Sequence, residues 1–192
     1  MAGGGAFRLP ISKREIAPHF SRNQVSTSLH QVGILLELNG ANMFRVRSYQ
    51  NGSRIVGSLT QDLGELVASG ELFDIKGIGK GLGSAITGAV LTGVWPDDWH
   101  ELHEKTSSGL LEMLGIPGVG PKRIKQLHDE LGIDSIPELQ AAAVNNEIAP
   151  LSGFGAKSQA KILSGIDLLA RFNARRRLDI GLRYGETFVG LI

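Results

Sequence analysis

Apolar residues recur every three or four positions through most of this chain and rarely alternate strictly, so the pattern predicts helices and few strands. Val25, Leu29, Val32 and Leu36 share one face of a helix that Ser21 and Gln24 open as a capping box and Asn39-Gly40 stop. Asn42 caps a second helix carrying Phe44, Arg45, Arg47, Tyr49 and Ile55, and Thr60 caps a third with Leu63, Leu66 and Val67, ended by Gly70. A fourth runs from about Gly81 to Leu91. Trp95-Pro96 and a polar turn then lead to a helix capped by Asp97. Leu110 to Leu114, a helix from Pro121 to Leu131 and one with Pro137 in its first turn follow; proline there lacks only an N–H that the helix leaves unpaired anyway. The last predicted helix spans Lys157 to about Asn173, and residues 178–192 give no assignment. The fold class is all-α with two small helical lobes: a flexible arm at 1–20, a first lobe at 21–93, a second at 94–175 and a tail at 176–192.

A short glycine hairpin, apolar before and basic after, occurs three times. It reads Ile75-Lys76-Gly77-Ile78-Gly79-Lys80, Ile116-Pro117-Gly118-Val119-Gly120-Pro121-Lys122 and Leu151-Ser152-Gly153-Phe154-Gly155-Ala156-Lys157. Each precedes an amphipathic stretch and so feeds a helix N-terminus, where unpaired N–H groups and the positive end of the helix dipole favour an anion. Glycines let that backbone approach a ligand closely. Lys80, Lys122 and Lys157 add a mobile cation to each, and three such sites point to a polymer of phosphates rather than one nucleotide. A single copy would serve equally well as a structural bend. The loops are not P-loops, lacking the Gly-Lys-Ser/Thr ending, nor dinucleotide-binding fingerprints, lacking a preceding strand.

Charge refines this picture. With 20 basic and 19 acidic residues, no global field draws the chain to a polyanion, and binding must come from local patches. One is the acid-free stretch between Glu37 and Asp62 that holds Arg45, Arg47 and Arg54; another is Arg171 with Arg175, Arg176 and Arg177. Cysteine is absent, which excludes disulfides and thiolate chemistry and suits a reducing cytoplasm. No apolar run reaches membrane-spanning length, and the expected location is cytoplasmic.

Read in order, the segments resemble the N-terminal portion of bacterial family X DNA polymerases, the polymerase beta class. The resemblance rests on Leu35-Leu36-Glu37-Leu38-Asn39-Gly40, Phe44-Arg45-Val46-Arg47-Ser48-Tyr49, Asp62-Leu63, the first hairpin, Leu110-Leu111-Glu112-Met113-Leu114-Gly115 running into the second hairpin, Leu131-Gly132-Ile133-Asp134-Ser135, and Gly153-Phe154-Gly155. It covers roughly Asn23 to Phe172. It implies a lobe that grips the 5′-phosphate side of a DNA gap and a fingers-like lobe that holds duplex, with helix-hairpin-helix motifs on backbone phosphates. DNA, gapped, nicked or intact, is the expected partner; no membrane is, and repair proteins remain unnamed. The backbone-binding residues implied are Gly77, Gly79, Lys80, Gly118, Gly120, Lys122, Gly153, Gly155 and Lys157, with Arg45, Arg47 and Tyr49 at the 5′-phosphate. Main-chain carbonyls near Gly77, Gly79, Gly118 and Gly120 are implied to hold Na⁺ or K⁺.

Two departures bear on catalysis. Where lyase members of the family carry a Schiff-base lysine, this chain has Ala85, and Lys80 or Lys76 would have to substitute. The palm carboxylates that hold two Mg²⁺ ions have no counterpart, since Asp97-Asp98 and Asp129-Glu130 are adjacent rather than alternating, so Mg²⁺ is expected only with a palm domain elsewhere. The chain alone is therefore read as a non-catalytic, sequence-independent DNA-backbone binder; the alternatives are a fragment of an active repair polymerase, a lyase with a relocated lysine, or a protein-interaction scaffold. His100 and His103 have Glu104 nearby but no third metal ligand, and Trp95 and Trp99 serve a lobe interface more readily than base stacking.

Overall fold

The computed structural model describes the backbone of residues 18–189, and the side chains of 18–175 apart from Asp97. Gly3-Gly4-Gly5 and most of the expected arm, and the side chains of Arg176 and Arg177, lie outside the described residues. Every regular element among the described residues is helical: α1 (Arg22–Leu38), α2 (Met43–Ser58), α3 (Leu63–Ser69), a 3₁₀ turn (Glu71–Asp74), α4 (Lys80–Thr92), α5 (Asp97–Lys105), α6 (Ser108–Met113), α7 (Pro121–Leu131), α8 (Ile136–Val144) and α9 (Ala156–Val189). The chain divides into two compact units, 1–105 and 106–192.

In the first unit α1 packs along α2. Val25, Leu29, Val32 and Leu36 of α1 meet Val46 and Val56 of α2, and α3 and α4 close the core with Leu63, Leu66, Leu82, Ile86 and Val90. The Ser21/Gln24 capping box is present in full, and Asn42 caps α2 through the Phe44 amide. Where α4 meets α2, a Cβ on Gly52 would stand 2.3 Å from Leu82 Cδ2, so the Leu82 side chain fills the space that position 52 leaves open. Ser26 and Ser53 clasp the α1–α2 contact by exchanging hydroxyl-to-carbonyl bonds of 2.8 and 2.7 Å, which satisfies the buried Ser53.

Four expectations are corrected. Asp62, not Thr60, caps α3: its carboxylate accepts from the Glu65 amide at 3.0 Å. The expected lobe boundary at 93/94 moves to 105/106, because Trp95, Trp99 and Leu102 pack into the first core. Trp95 and Trp99 stack at 4.2 Å and Phe20 stacks on Trp95 at 5.5 Å, an apolar surface worth more buried than wet. Residues 19 and 20, expected in the arm, belong to the first unit, since the His19 amide bonds the Val90 carbonyl and Phe20 packs against the core. Finally, α9 continues helically through the expected tail as far as Val189.

The second unit buries Leu110, Met113, Ile116, Ile124, Leu127, Leu139, Ile148 and Ile162. Pro137 sits in the first turn of α8 behind the N-cap Ser135, as its chemistry requires. Glu138 closes this cap: it accepts from the Asp134 amide at 2.8 Å, while its own amide donates to Ser135 Oγ. The Asp134 amide first, and the Ser135 hydroxyl next, hold the Glu138 carboxyl below its ordinary value. A depressed folded pKa adds stability that is present above the unfolded value and lost as pH falls through the folded one. Acid titration of thermal stability is therefore expected to show a loss below the ordinary carboxylate range that is smaller in Glu138→Gln. Parallel curves for the two proteins would remove this cap from the account.

Candidate functional site

The three hairpins share one backbone solution. In each, the apolar residue between the glycines returns its amide to the carbonyl three residues earlier: Ile78 to Ile75 at 3.0 Å, Val119 to Ile116 at 3.1 Å and Phe154 to Leu151 at 3.0 Å. That tight turn needs a left-handed residue before it closes, and the first glycines supply it, with φ of 98° at Gly77, 84° at Gly118 and 77° at Gly153. The second glycine then starts a helix, its carbonyl accepting from Gly83, Ile124 or Gln159. Burial of Ile78 and Val119 pins the first two loops to their cores.

No side chain caps the helices that begin at Gly79 and Gly120. After Gly120, Pro121 has no N–H and the Arg123 amide turns back on the Gly120 carbonyl at 3.0 Å, which leaves the Lys122 amide; after Gly79 the first-turn amides have no side-chain cap. The surroundings are open: a Cβ on Gly79, Gly120 or Gly155 would meet nothing within 4 Å. Lys80, Lys122 and Lys157 are exposed beside these termini. The first hairpin belongs to the first unit; the second and third belong to the second unit.

Two residues that the sequence reading passed over join the second and third hairpins. Arg123 of α7 donates from Nη1 to the Gly118 carbonyl at 3.3 Å, and its guanidinium carbon lies 5.5 Å from the centre of the Phe154 ring in the third hairpin. Gln126, one turn on, donates to the Ser152 carbonyl at 2.8 Å. The third hairpin is also braced from within, since buried Gln159 accepts from the Ala149 amide and donates to Asn146. A signal existed: at the third position after the second glycine the repeats carry Leu82, Arg123 and Ser158, and only the second is charged.

The expected 5′-phosphate cluster is rearranged. Tyr49 is half-buried, accepts a 3.3 Å bond from Trp99 Nε1 and meets that ring edge-on at 5.6 Å, so it packs into the first core. Arg45 does not lie in acid-free surroundings, because the fold brings Asp98 of α5 to 2.8 Å from its guanidinium. Arg47 is exposed. Nor do these arginines converge with the first hairpin: a Cβ on Gly77 would stand 2.5 Å from Ile55 Cδ1, at the far end of α2. At about 1.5 Å rise per residue, Ile55 lies about 12 Å along the axis from Arg47 and about 15 Å from Arg45. Arg54, exposed and bonded to Asn51, directly precedes Ile55 in α2. Ala85 is partly buried against the first core.

Among the described residues, no group of three or more His, Asp or Glu side chains could hold a metal ion, and no helix is long and apolar enough to cross a membrane. Residues 110–167 match the family model described as a SAM-like helix-hairpin-helix tandem, which spans the second and third hairpins. Over 155 residues, 81% of this chain, the sequence is 31% identical to the DNA polymerase/3′-5′ exonuclease PolX of Bacillus subtilis (strain 168). Over most of its length the chain is therefore similar to part of a bacterial family X DNA polymerase. It spans 26% of that relative's length.

Proposed function

We propose that this chain binds DNA through its sugar–phosphate backbone, without reading sequence, and prefers gapped or nicked DNA bearing a 5′-phosphate. The observation that carries the reading is the threefold repetition of one geometry, with a positive-φ glycine, an outward helix start and a neighbouring lysine each time. Main-chain amides suit phosphate oxygens and carry no means of distinguishing base edges. The relative's name, a DNA polymerase, makes DNA the natural polyanion. The first hairpin with Arg54 and the arginines at 45 and 47 serve different phosphates. Arg47 is the readier 5′-phosphate donor, since Arg45 must first leave Asp98. The monovalent-ion site implied by the resemblance is kept for the loop at Gly77 and Gly79.

The test is equilibrium binding to matched duplex, nicked and gapped DNA across a salt series. Affinity is expected to fall steeply with salt and to vary less than about tenfold with sequence, about 1.4 kcal/mol. Lys122→Ala should weaken all duplexes alike and flatten the salt slope by about one ion. Removing the 5′-phosphate from gapped DNA should weaken binding by the loss of a charged hydrogen bond, about 1.5 to 3 kcal/mol. Sequence discrimination beyond tenfold, or salt-independent binding, would replace backbone recognition with another mode. We further propose that the isolated chain has no lyase activity, because Ala85 offers no amine; a borohydride-trapped adduct on DNA with a 5′ abasic sugar, mapping to Lys80 or Lys76, would overturn that.

A further inference from the structure

We infer that Arg123 is the built-in cation of the second hairpin, standing in for the Na⁺ or K⁺ that the resemblance places near Gly118 and Gly120, so that this hairpin takes no monovalent ion. What sets this loop apart is that one of its carbonyls, Gly118, is already held by a cation; its other backbone bonds repeat those of the first hairpin. Gly118 accepts from Arg123 Nη1, Ile116 from the Val119 amide, and Gly120 from the amides of Arg123 and Ile124. The Pro117 oxygen lies 3.0 Å from where a Cβ on Gly165 would stand, against the α9 backbone. An ion gathered by these oxygens would share them with a guanidinium that stays protonated at any physiological pH. Two positive charges a few ångströms apart on this loop repel.

The guanidinium is also held in place rather than passing through. The guanidinium carbon of Arg123 lies over the Phe154 ring, 5.5 Å from the centre, a cation–π contact, and its neighbour Ile124 is buried in the core of the second unit. One residue therefore supplies the charge that orients the carbonyls of the second hairpin and ties that loop to the third. The first and third hairpins carry Leu82 and Ser158 at this position and have no such cation of their own. In its binding arm this inference rests on the proposed DNA-backbone function; in its stability arm it does not.

The experiment compares the full chain with Arg123→Met, which keeps an unbranched stem but loses the charge, and Arg123→Lys, which keeps the charge. Each is measured in potassium chloride and in tetramethylammonium chloride at equal ionic strength. The potassium-to-tetramethylammonium ratio of duplex affinities should rise in Arg123→Met by about fivefold or more over the unsubstituted chain, the lower end of linked-binding effects. Arg123→Lys should keep the original ratio. Without DNA, potassium should raise the melting temperature of Arg123→Met more than that of the unsubstituted chain. Equal cation responses in all three proteins would overturn the inference. If the unsubstituted chain binds no DNA, the proposed function fails and the melting arm alone decides. If Arg123→Met folds in neither salt, Arg123→Lys decides: an unchanged cation response supports the built-in cation, and a new potassium dependence overturns it.

Discussion

Gly79→Asp and Gly120→Asp are expected to stabilise the protein while removing DNA binding at the substituted hairpin. Both glycines start helices with backbone angles open to any residue, φ −73° and ψ 164° at Gly79, φ −95° and ψ 171° at Gly120. Neither has anything within 4 Å of an added Cβ. Aspartate is among the best N-cap residues, and its carboxylate would accept the very amides that the proposed function gives to phosphate, adding a few tenths to about 1 kcal/mol of helix stability. The same occupancy blocks the ligand and repels its charge. Losing one charge-assisted phosphate contact costs about 1.5 to 3 kcal/mol, or about ten- to a hundredfold in affinity. Alanine at these positions is the control: a poor cap that leaves the amides open, it should lower stability slightly and retain most binding. Unchanged duplex affinity in both Asp variants, measured beside their melting curves, would show that these helix termini are not the DNA contacts.

Gly109→Ala is expected to unfold the second unit's packing although Ala is the better helix former. Its Cβ would stand 1.9 Å from the Asp134 carbonyl oxygen and 3.3 Å from Ser135 Cα. These are backbone atoms in the segment that caps α8, so no rotamer change relieves the clash. The intrinsic gain of about 1 kcal/mol over glycine in a helix is outweighed, because overpacking a filled site costs up to about 3 kcal/mol and separating α6 from α8 adds to it. A lobe of this size should then melt lower by about 10 °C or more. A variant that melts at or above the original temperature would mean that α6 and α8 do not approach this closely.

Much of this was readable from residue types because the signals were local. The Ser21/Gln24 box, the Asn42 cap, the Gly70 left-handed end and the Pro137 first turn each depend on a few neighbouring residues, and each stands where the chemistry puts it. The glycine hairpins were legible for the same reason. Thr60 and Asp62 illustrate the limit of local rules: both are cap formers two residues apart, and the choice depends on where α3 packs. The arginine cluster was misread because its partner is remote. Asp98 lies 53 positions after Arg45, and Tyr49 finds Trp99 at a similar distance along the chain. No run of neighbouring residues can show which surface α5 will cover. Arg123 was missed for a different reason, since a charged residue on an exposed helix start is ordinarily solvated, and its meaning appears only with Phe154 beneath it.

Both tryptophans of the chain, Trp95 and Trp99, stack on each other inside the first unit. Indole emission therefore comes from one lobe alone, while far-ultraviolet dichroism records the helices of both. Heated or titrated with denaturant, the two signals divide the molecule between them without any label. Coincident transitions would mean that the lobes unfold as one cooperative body, and separated ones would assign each midpoint to its lobe directly.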